Sequence, residues 1–155
     1  MSKTNAMRIL ESNNIIYSSH SYDVDEEDLS GITVAKKIDA EPECVFKTLV
    51  CSSDKTGIVI FCVPVTEELN LKKAAASSGN KKVEMIKTKE LFSLTGYVRG
   101  GCSPIGMKKN FPTYIDETIL LFDYIYCSAG IRGTQLKLNP SDLISLTNAV
   151  TADLT

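Results

Sequence analysis

The chain has 155 residues, of which 43% are hydrophobic and 23% charged, and its formal net charge at pH 7 is −2. This composition is ordinary for a globular protein with one core and excludes an intrinsically disordered chain. No apolar stretch is long enough to cross a bilayer, and the N-terminus lacks the apolar block of a secretory signal. We therefore expect one cytoplasmic domain over residues 1–155, with no membrane contact.

The first half of the chain shows short helix and strand signals. A helix capped by Ser2 is expected to place Ala6, Met7 and Leu10 on one face and to end near Asn13. The elements expected after it are a strand in "IIYSSHSY", a short helix capped by Ser30, and a hairpin formed by "VFKTLV" and "IVIFCVPV".

The second half begins with a helix in "NLKKAAASSG", capped by Asn70. After it we expect a strand in "KKVEMI", a helix in "TKELFSLTG", a loop in "YVRGGCSPIG", and strands in "FPTYID", "TILLFDYIYCSAG" and "TQLKLN". A final helix opens at Pro140 and is expected to bury Leu143, Leu146 and Val150. Helices and strands without regular alternation predict an α+β fold.

The cysteines and the histidine limit the chemistry that the chain can perform. The five cysteines are odd in number and form no C-x-x-C pair, which favours free thiols in a reducing compartment. His20 is the only histidine, so the sequence supports neither a zinc site nor a Ser-His-Asp triad. We expect no metal and no cofactor.

Charge is distributed unevenly along the chain. Residues 23–29 hold five acids, whereas residues 47–109 hold eleven basic side chains and five acidic ones. This asymmetry permits a basic surface for a polyanion beside an acidic rim, and it is equally compatible with solvated charges that share no face.

Lys47 interrupts an apolar strand and would share a face with Val45, Leu49 and Cys51. One interpretation is a lysine that protects an edge strand against aggregation. The other is an ammonium group beside a pocket, where it would act on an anion or a polarised carbonyl, or serve as a Schiff-base nucleophile.

Two further segments contain small residues at positions suited to a ligand. "GGCSPIG", residues 100–106, would let the backbone approach a ligand and direct N–H groups toward it, but it is also compatible with a plain tight loop. "CSAGIRG", residues 127–133, ends a strand in small residues with one arginine, and suits either a ligand or a turn.

Taken together, these segments resemble the YbaK/EbsC family. The resemblance runs from about Ala6 to Asp153 and rests on "VFKTLV", "NLKKAA", "KKVEMI", "TGYVRGGCSPIGMKKNFPTYID" and "SAGIRG". The family comprises bacterial aminoacyl-tRNA deacylases related to the editing insertion of prolyl-tRNA synthetase. It implies a mixed, largely antiparallel, curved and barrel-like sheet flanked by helices. It also implies removal of cysteine mischarged onto tRNA(Pro), in trans beside prolyl-tRNA synthetase.

The resemblance also implies a set of site residues. Lys47 matches the lysine on which activity depends. The backbone N–H of Gly100 or Gly101 suits an oxyanion donor, and Gly101 is the one assigned to catalysis. The residues expected to bind substrate are Tyr22, Thr48, Gly100, Ser103, Pro104, Ser128, Gly130 and Arg132. In the implied mechanism the cysteine thiol of the substrate attacks its own ester and releases a thiolactone. The candidate phosphate contacts are Lys72-Lys73, Lys81-Lys82 and Lys108-Lys109.

Two positions depart from the family pattern, and other functions stay open. Gln135 stands where the family often carries an aspartate, and Ala129 stands where glycine is more usual. Cys102, inside the glycine-rich segment, is interpreted as a pocket-lining or silent thiol. The alternatives are a non-catalytic regulatory or aminoacyl-tRNA-binding module, a deacylase for another small amino acid, and a Schiff-base enzyme acting on a small carbonyl compound.

Overall fold

A computed structural model describes residues 2–155, which form five α-helices and eight strands. The helices are α1 (Asn5–Ser12), α2 (Gly31–Lys37), α3 (Leu71–Ser77), α4 (Leu91–Thr95) and α5 (Pro140–Thr147). The strands are β1 (Tyr17–Ser21), β2 (Phe46–Ser53), β3 (Ile58–Pro64), β4 (Val83–Met85), β5 (Thr113–Asp116), β6 (Ile125–Ser128), β7 (Thr134–Leu138) and β8 (Val150–Ala152). None of the helices in this described part is long and apolar enough to cross a membrane.

The strands form two sheets. The larger has the order β4-β2-β3-β5-β8, in which β2 pairs antiparallel with β3 and β4, while β5 pairs parallel with β3 and β8. The smaller sheet, β1-β7-β6, is antiparallel throughout. An isolated parallel bridge between Val45 and Tyr126 joins the two sheets. The predicted α+β class with a mixed sheet flanked by helices is confirmed, although the sheets do not close into a barrel.

Burial on both faces of the large sheet explains the apolar composition of its central strand. β3 is buried at six of its seven residues, and Ile60 and Phe61 point to opposite faces. Ile60 belongs to the main core, which α1, α5 and the small sheet cover, whereas Phe61 belongs to a second core beneath α3. The large sheet therefore lies between the two cores, and the helices and the small sheet pack against its faces.

Three local expectations were wrong, each for a physical reason. The first helix is capped by Thr4, whose hydroxyl accepts from the Met7 amide, and not by Ser2. The stretch from Glu117 to Leu121 is a 3-10 helix, so the strand that follows begins only at Ile125. Val150 lies in β8 and is 55% exposed, because the final helix ends before it at Thr147.

Asp116 explains the 3-10 turn and also fixes the C-terminus. Its carboxylate accepts from the Thr118 amide and hydroxyl through Oδ2, and from the Leu154 amide through Oδ1 at 2.9 Å. Asp116 is 1% exposed, so these hydrogen bonds replace its lost solvation. The "PTYID" block of the family pattern thus has a structural role at this aspartate.

Candidate active site

A cavity of about 530 Å³ lies along an open edge of β2. β4 pairs with β2 only from Cys51 to Ser53, and β6 meets this chain only at the Val45–Tyr126 bridge, so the edge of β2 between these points has no paired strand. As a result, the consecutive residues 45–50 all line the cavity, whatever face of the sheet they belong to. The other walls are the start of α2, the segment from β4 to α4, the glycine-rich loop, and the ends of β6 and β7.

Lys47 is one of two cationic residues that line this cavity, with Arg99. Its side chain is 28% exposed, and its Nζ lies 3.5 Å from Oε1 of Glu68, whose side chain is 94% exposed. An ion pair with so exposed a partner is weakened by water and contributes little to stability. The Lys47 ammonium is therefore anchored at the cavity while its present partner remains free to be displaced.

The glycine-rich loop meets the residue 130–133 turn at backbone contact distance. A Cβ atom on Gly101 would lie 3.1 Å from the backbone N of Arg132, and the Arg132 Nε donates to the Arg99 carbonyl at 2.7 Å. The Gly101 amide itself donates to the Val98 carbonyl at 3.0 Å. Gly100, which has φ +85°, is thus the glycine of the pair that lines the cavity.

Gln135 carries the one buried polar side-chain atom that lacks a partner within residues 2–155. The residue is 7% exposed and lines the cavity, and its Oε1 accepts no hydrogen bond from the protein. A buried acceptor without a donor costs about 1–3 kcal/mol. An atom of this kind in a cavity wall indicates a place where a ligand supplies the missing donor.

Cys102 also lines the cavity, but its thiol is not activated. Burial, with a smaller contribution from nearby Cys62, raises the pKa of the Cys102 thiol to about 12. Burial likewise raises the pKa of Cys62 to about 12, against a lowering effect of its contact with the Thr48 hydroxyl. Both thiols are therefore protonated at neutral pH and lack the thiolate character of a nucleophile.

The structure brings together four of the predicted site residues and holds the others nearby or apart. The residues that line the cavity are Lys47, Thr48, Gly100 and Ser128. Behind this lining, Gly101 and Arg132 pack as described, and Gly130 leaves room for the Tyr97 ring, which a Cβ at position 130 would meet at 3.0 Å. Tyr22 donates its amide to the Gly133 carbonyl and is absent from the lining.

Ser103 and Pro104 lie farther from the cavity than the glycines before them. Ser103 is fully buried, and its hydroxyl accepts from the Ile105 amide at 3.2 Å. Pro104 lines a second cavity of about 570 Å³, which lies between α1, residues 104–113 and the end of α5. The single motif "GGCSPIG" is therefore divided between two cavities.

Sequence reasoning missed the walls supplied by α2 and by the segment from β4 to α4. The missed lining residues are Leu29, Ser30, Gly31, Ile32, Val34, Met85, Ile86, Thr88, Leu91 and Arg99. Most are apolar or small and belong to ordinary amphipathic elements, so no pattern in the chain distinguishes them from core residues.

The chain is similar in sequence and in fold to known proteins. Residues 29–146 match the aminoacyl-tRNA editing domain family. The chain is 48% identical over 153 residues to EbsC of Enterococcus faecalis, described as a proposed Cys-tRNA(Pro)/Cys-tRNA(Cys) deacylase; the match covers 99% of this chain and 93% of that protein. YwhH of Bacillus subtilis is 24% identical over 124 residues, which is 78% of each protein. A solved structure described as a proposed trans-editing enzyme for prolyl-tRNA synthetase superimposes with a TM-score of 0.82 at 25% identity, covering 99% of both chains.

Proposed function

Because the chain belongs to the aminoacyl-tRNA editing domain family, we propose that it is a trans-editing deacylase that removes cysteine mischarged onto tRNA(Pro). The observation that supports this most directly is the cavity that holds the Lys47 ammonium and the unpartnered Gln135 acceptor. Its volume of about 530 Å³ lies within the range of about 300–1,000 Å³ for small-molecule sites. An aminoacyl ester with its terminal ribose fits that size.

The cavity lining contains no histidine, and its cysteine is protonated at neutral pH. Its hydroxyl groups consequently have no imidazole base beside them, and attack by a protein nucleophile has no activated candidate. This chemistry favours attack by the substrate. The cysteinyl sulfur forms a bond to its own ester carbonyl carbon, the bond from that carbon to the ribose oxygen breaks, and the thiol proton passes to the ribose oxygen. The products are a thiolactone and intact tRNA.

In this mechanism the protein orients the substrate and stabilises developing charge. The Lys47 ammonium leaves Glu68 and contacts the carbonyl oxygen of the ester, on which negative charge develops. The Gly100 backbone approaches the same carbonyl oxygen. Gln135 Oε1 accepts a hydrogen bond from the α-amino group of the cysteine and gains the donor that the protein does not supply. Alignment of an intramolecular attack contributes up to about 7–11 kcal/mol.

The proposed activity takes place in the cytoplasm, with prolyl-tRNA synthetase as the source of the mischarged tRNA. The solved relative described for that synthetase supports this assignment. Titration of the labelled protein with prolyl-tRNA synthetase, with and without tRNA(Pro), measures whether the two associate. Deacylation rates that do not change when the synthetase is added would show that the protein acts alone.

A single-turnover assay tests the function. The protein is mixed with Cys-tRNA(Pro), with Cys-tRNA(Cys), or with tRNA(Pro) that carries S-methylcysteine. The released sulfur compound is identified by mass spectrometry. We expect thiolactone from the two cysteinyl substrates and no release from the S-methyl ester. Free cysteine as the first product would indicate attack by water, and binding without turnover on every substrate would indicate a non-catalytic module.

A further inference from the structure

Phe92 is an exposed aromatic side chain next in the chain to Leu91, which lines the active-site cavity. It is 59% exposed and lies on α4. Thr88 and Leu91, just before it in the chain, line the cavity, and so do Arg99 and Gly100, just after α4. The Phe92 ring is therefore held on an element that borders the cavity on both sides, with more than half of its surface available to a ligand.

Lys108 brings a cation to this ring. Its Nζ lies 5.1 Å from the Phe92 ring centroid, and its backbone amide donates to the Thr95 carbonyl at 3.2 Å. Its side chain also runs along Gly96, where a Cβ would meet Lys108 Cγ at 3.4 Å. The lysine is thus fixed to the end of α4 at two points, and its charge stays beside the ring.

The surroundings of Phe92 are basic and lack carboxylate partners. Residues 85–112 contain five basic residues and one acidic residue, Glu90, whose carboxylate accepts from the Lys87 amide. The ion pairs found within residues 2–155 use the cations of Lys3, Lys47, Lys73 and Arg132. The cations beside α4 are therefore not engaged with protein carboxylates and remain available to an external anion.

A second aromatic–lysine pair on the surface shows that the surroundings matter. Lys137 Nζ lies 3.8 Å from the ring centroid of Tyr124, which is 48% exposed. Residues 116–126 around this tyrosine contain three acids and no basic residue. This aromatic–lysine pair therefore lies beside acidic residues, whose negative charge repels phosphates.

We propose that the α4 lip, defined as Lys87, Lys89, Phe92, Arg99 and Lys108, binds the single-stranded acceptor end of the aminoacyl-tRNA. Phe92 stacks on an unpaired base that precedes the terminal adenosine, and the lysines contact the flanking phosphates, the combination by which proteins hold single-stranded nucleic acid. The inference rests on the proposed function, because it assigns a surface to the RNA part of that substrate. Of the lysine pairs that the sequence offered for phosphate contact, it selects Lys108, whereas Lys73 is paired with Asp153 at 3.0 Å.

Binding of fluorescent, uncharged tRNA(Pro) to the full chain at several salt concentrations tests the proposal. We expect Phe92→Ala and Phe92→Leu to weaken the Kd about tenfold, and Phe92→Trp to keep or improve it, because stacking needs an aromatic ring. Lys87→Ala and Lys108→Ala should each reduce the salt slope by about 0.7–1, as expected for one lost phosphate contact. Tyr124→Ala is the matched control and should stay within about twofold of the wild type.

Several outcomes would overturn the proposal. Wild-type affinity in Phe92→Ala would show that the α4 lip does not bind RNA, as would be the case if the lip docked a protein. Full affinity in Phe92→Leu would replace stacking by plain apolar contact, and an equal loss in Tyr124→Ala would show that the effect is not specific to α4.

Cleavage of 3′-O-cysteinyl-adenosine, a substrate without the RNA chain, separates this proposal from the proposed function. Phe92→Ala should cleave it at the wild-type rate while its KM for Cys-tRNA(Pro) rises. If the wild type cleaves neither ester but binds tRNA through Phe92, the deacylase activity is refuted and the RNA surface is retained. If both esters are cleaved and Phe92 does not affect affinity, the RNA surface is refuted.

Discussion

Two cavities of the molecule have nearly the same volume, about 530 and 570 Å³, but among residues 2–155 only the first has a buried side-chain polar atom in its wall without a hydrogen-bond partner. The first contains the Gln135 oxygen without a donor and a lysine whose only carboxylate partner is exposed. In the second, the Thr147 hydroxyl donates to the Leu143 carbonyl, and Asn148 ends α5 in the left-handed conformation. Size alone does not distinguish the two cavities, whereas the buried acceptor without a donor is found only in the first.

Replacement of Lys47 in the first cavity should give the largest effect on the deacylation rate. Lys47→Ala is expected to lower the single-turnover rate on Cys-tRNA(Pro) by at least about 100-fold, as does the loss of an oxyanion donor in other enzymes. Its melting temperature should change little, because an exposed ion pair contributes at most about 1 kcal/mol. Lys55→Ala, in the exposed turn after β2, is the matched control. A wild-type rate in Lys47→Ala would remove the catalytic role of the cation.

Gln135→Met should separate stability from binding. The substitution removes an unpartnered buried acceptor at similar volume, so the melting temperature is expected to rise by about 2 °C. The KM for Cys-tRNA(Pro) should rise about tenfold, because the substrate amine loses its acceptor. Asn110→Ala, which removes an exposed amide from the second cavity, should change neither quantity. Unchanged KM in Gln135→Met would mean that this oxygen does not contact the substrate.

Two glycines of "GGCSPIG", Gly101 and Gly106, offer a second contrast. A Cβ on Gly101 would press on the Arg132 backbone behind the first cavity, so Gly101→Ala is expected to lower kcat about fivefold with a modest loss of stability. Gly106→Ala places a Cβ 2.9 Å from the Asn5 Nδ2 atom at a φ of +78° beside the second cavity. Its main effect should be a stability loss of about 1–3 kcal/mol. Thermal unfolding and single-turnover rates of both variants check the contrast, which equal losses of kcat would contradict.

Cys102→Ala should have a small effect on activity, within about twofold. The thiol lines the first cavity but is protonated at neutral pH, because burial raises its pKa to about 12. The rate should therefore show no dependence on Cys102 between pH 7 and 9. A loss of 100-fold or more would make this thiol the nucleophile.

Alkaline pH should lower stability through the same buried thiols. Burial raises the pKa of Cys51, Cys62 and Cys102 from the ordinary value of 9.0 to about 12, so the unfolded chain releases these protons at lower pH than the folded one. Between pH 9 and 12 the folded state holds more protons, and the free energy of unfolding falls as pH rises. Denaturant titrations across this range should show a shallower fall for Cys102→Ala, and a slope equal to the wild type would contradict the burial of this thiol.

Local patterns in the chain were sufficient for most elements and for the family. Ser30 and Asn70 cap the helices that they were expected to cap, and Pro140 opens the final helix as expected, because these signals depend on residues within one turn. Lys47 stood out because a charge in an apolar strand conflicts with the period of the strand. The prediction was wrong for the stretch from Glu117 to Leu121. Its apolar residues are typical of a strand, but the Asp116 side chain caps a 3-10 helix there.

By itself the sequence determined the α+β class and the resemblance to tRNA-editing enzymes, and it singled out Lys47 as a candidate site residue, because each depends on local spacing and residue type. Only the tertiary structure decided that β4 leaves an edge of β2 open, that Gly100 and Pro104 belong to different cavities, and that Gln135 Oε1 has no donor. These properties depend on which distant segments meet. Whether a polar atom such as Gln135 Oε1 finds a hydrogen-bond donor depends on the segments packed around it, so the sequence of one segment does not reveal it.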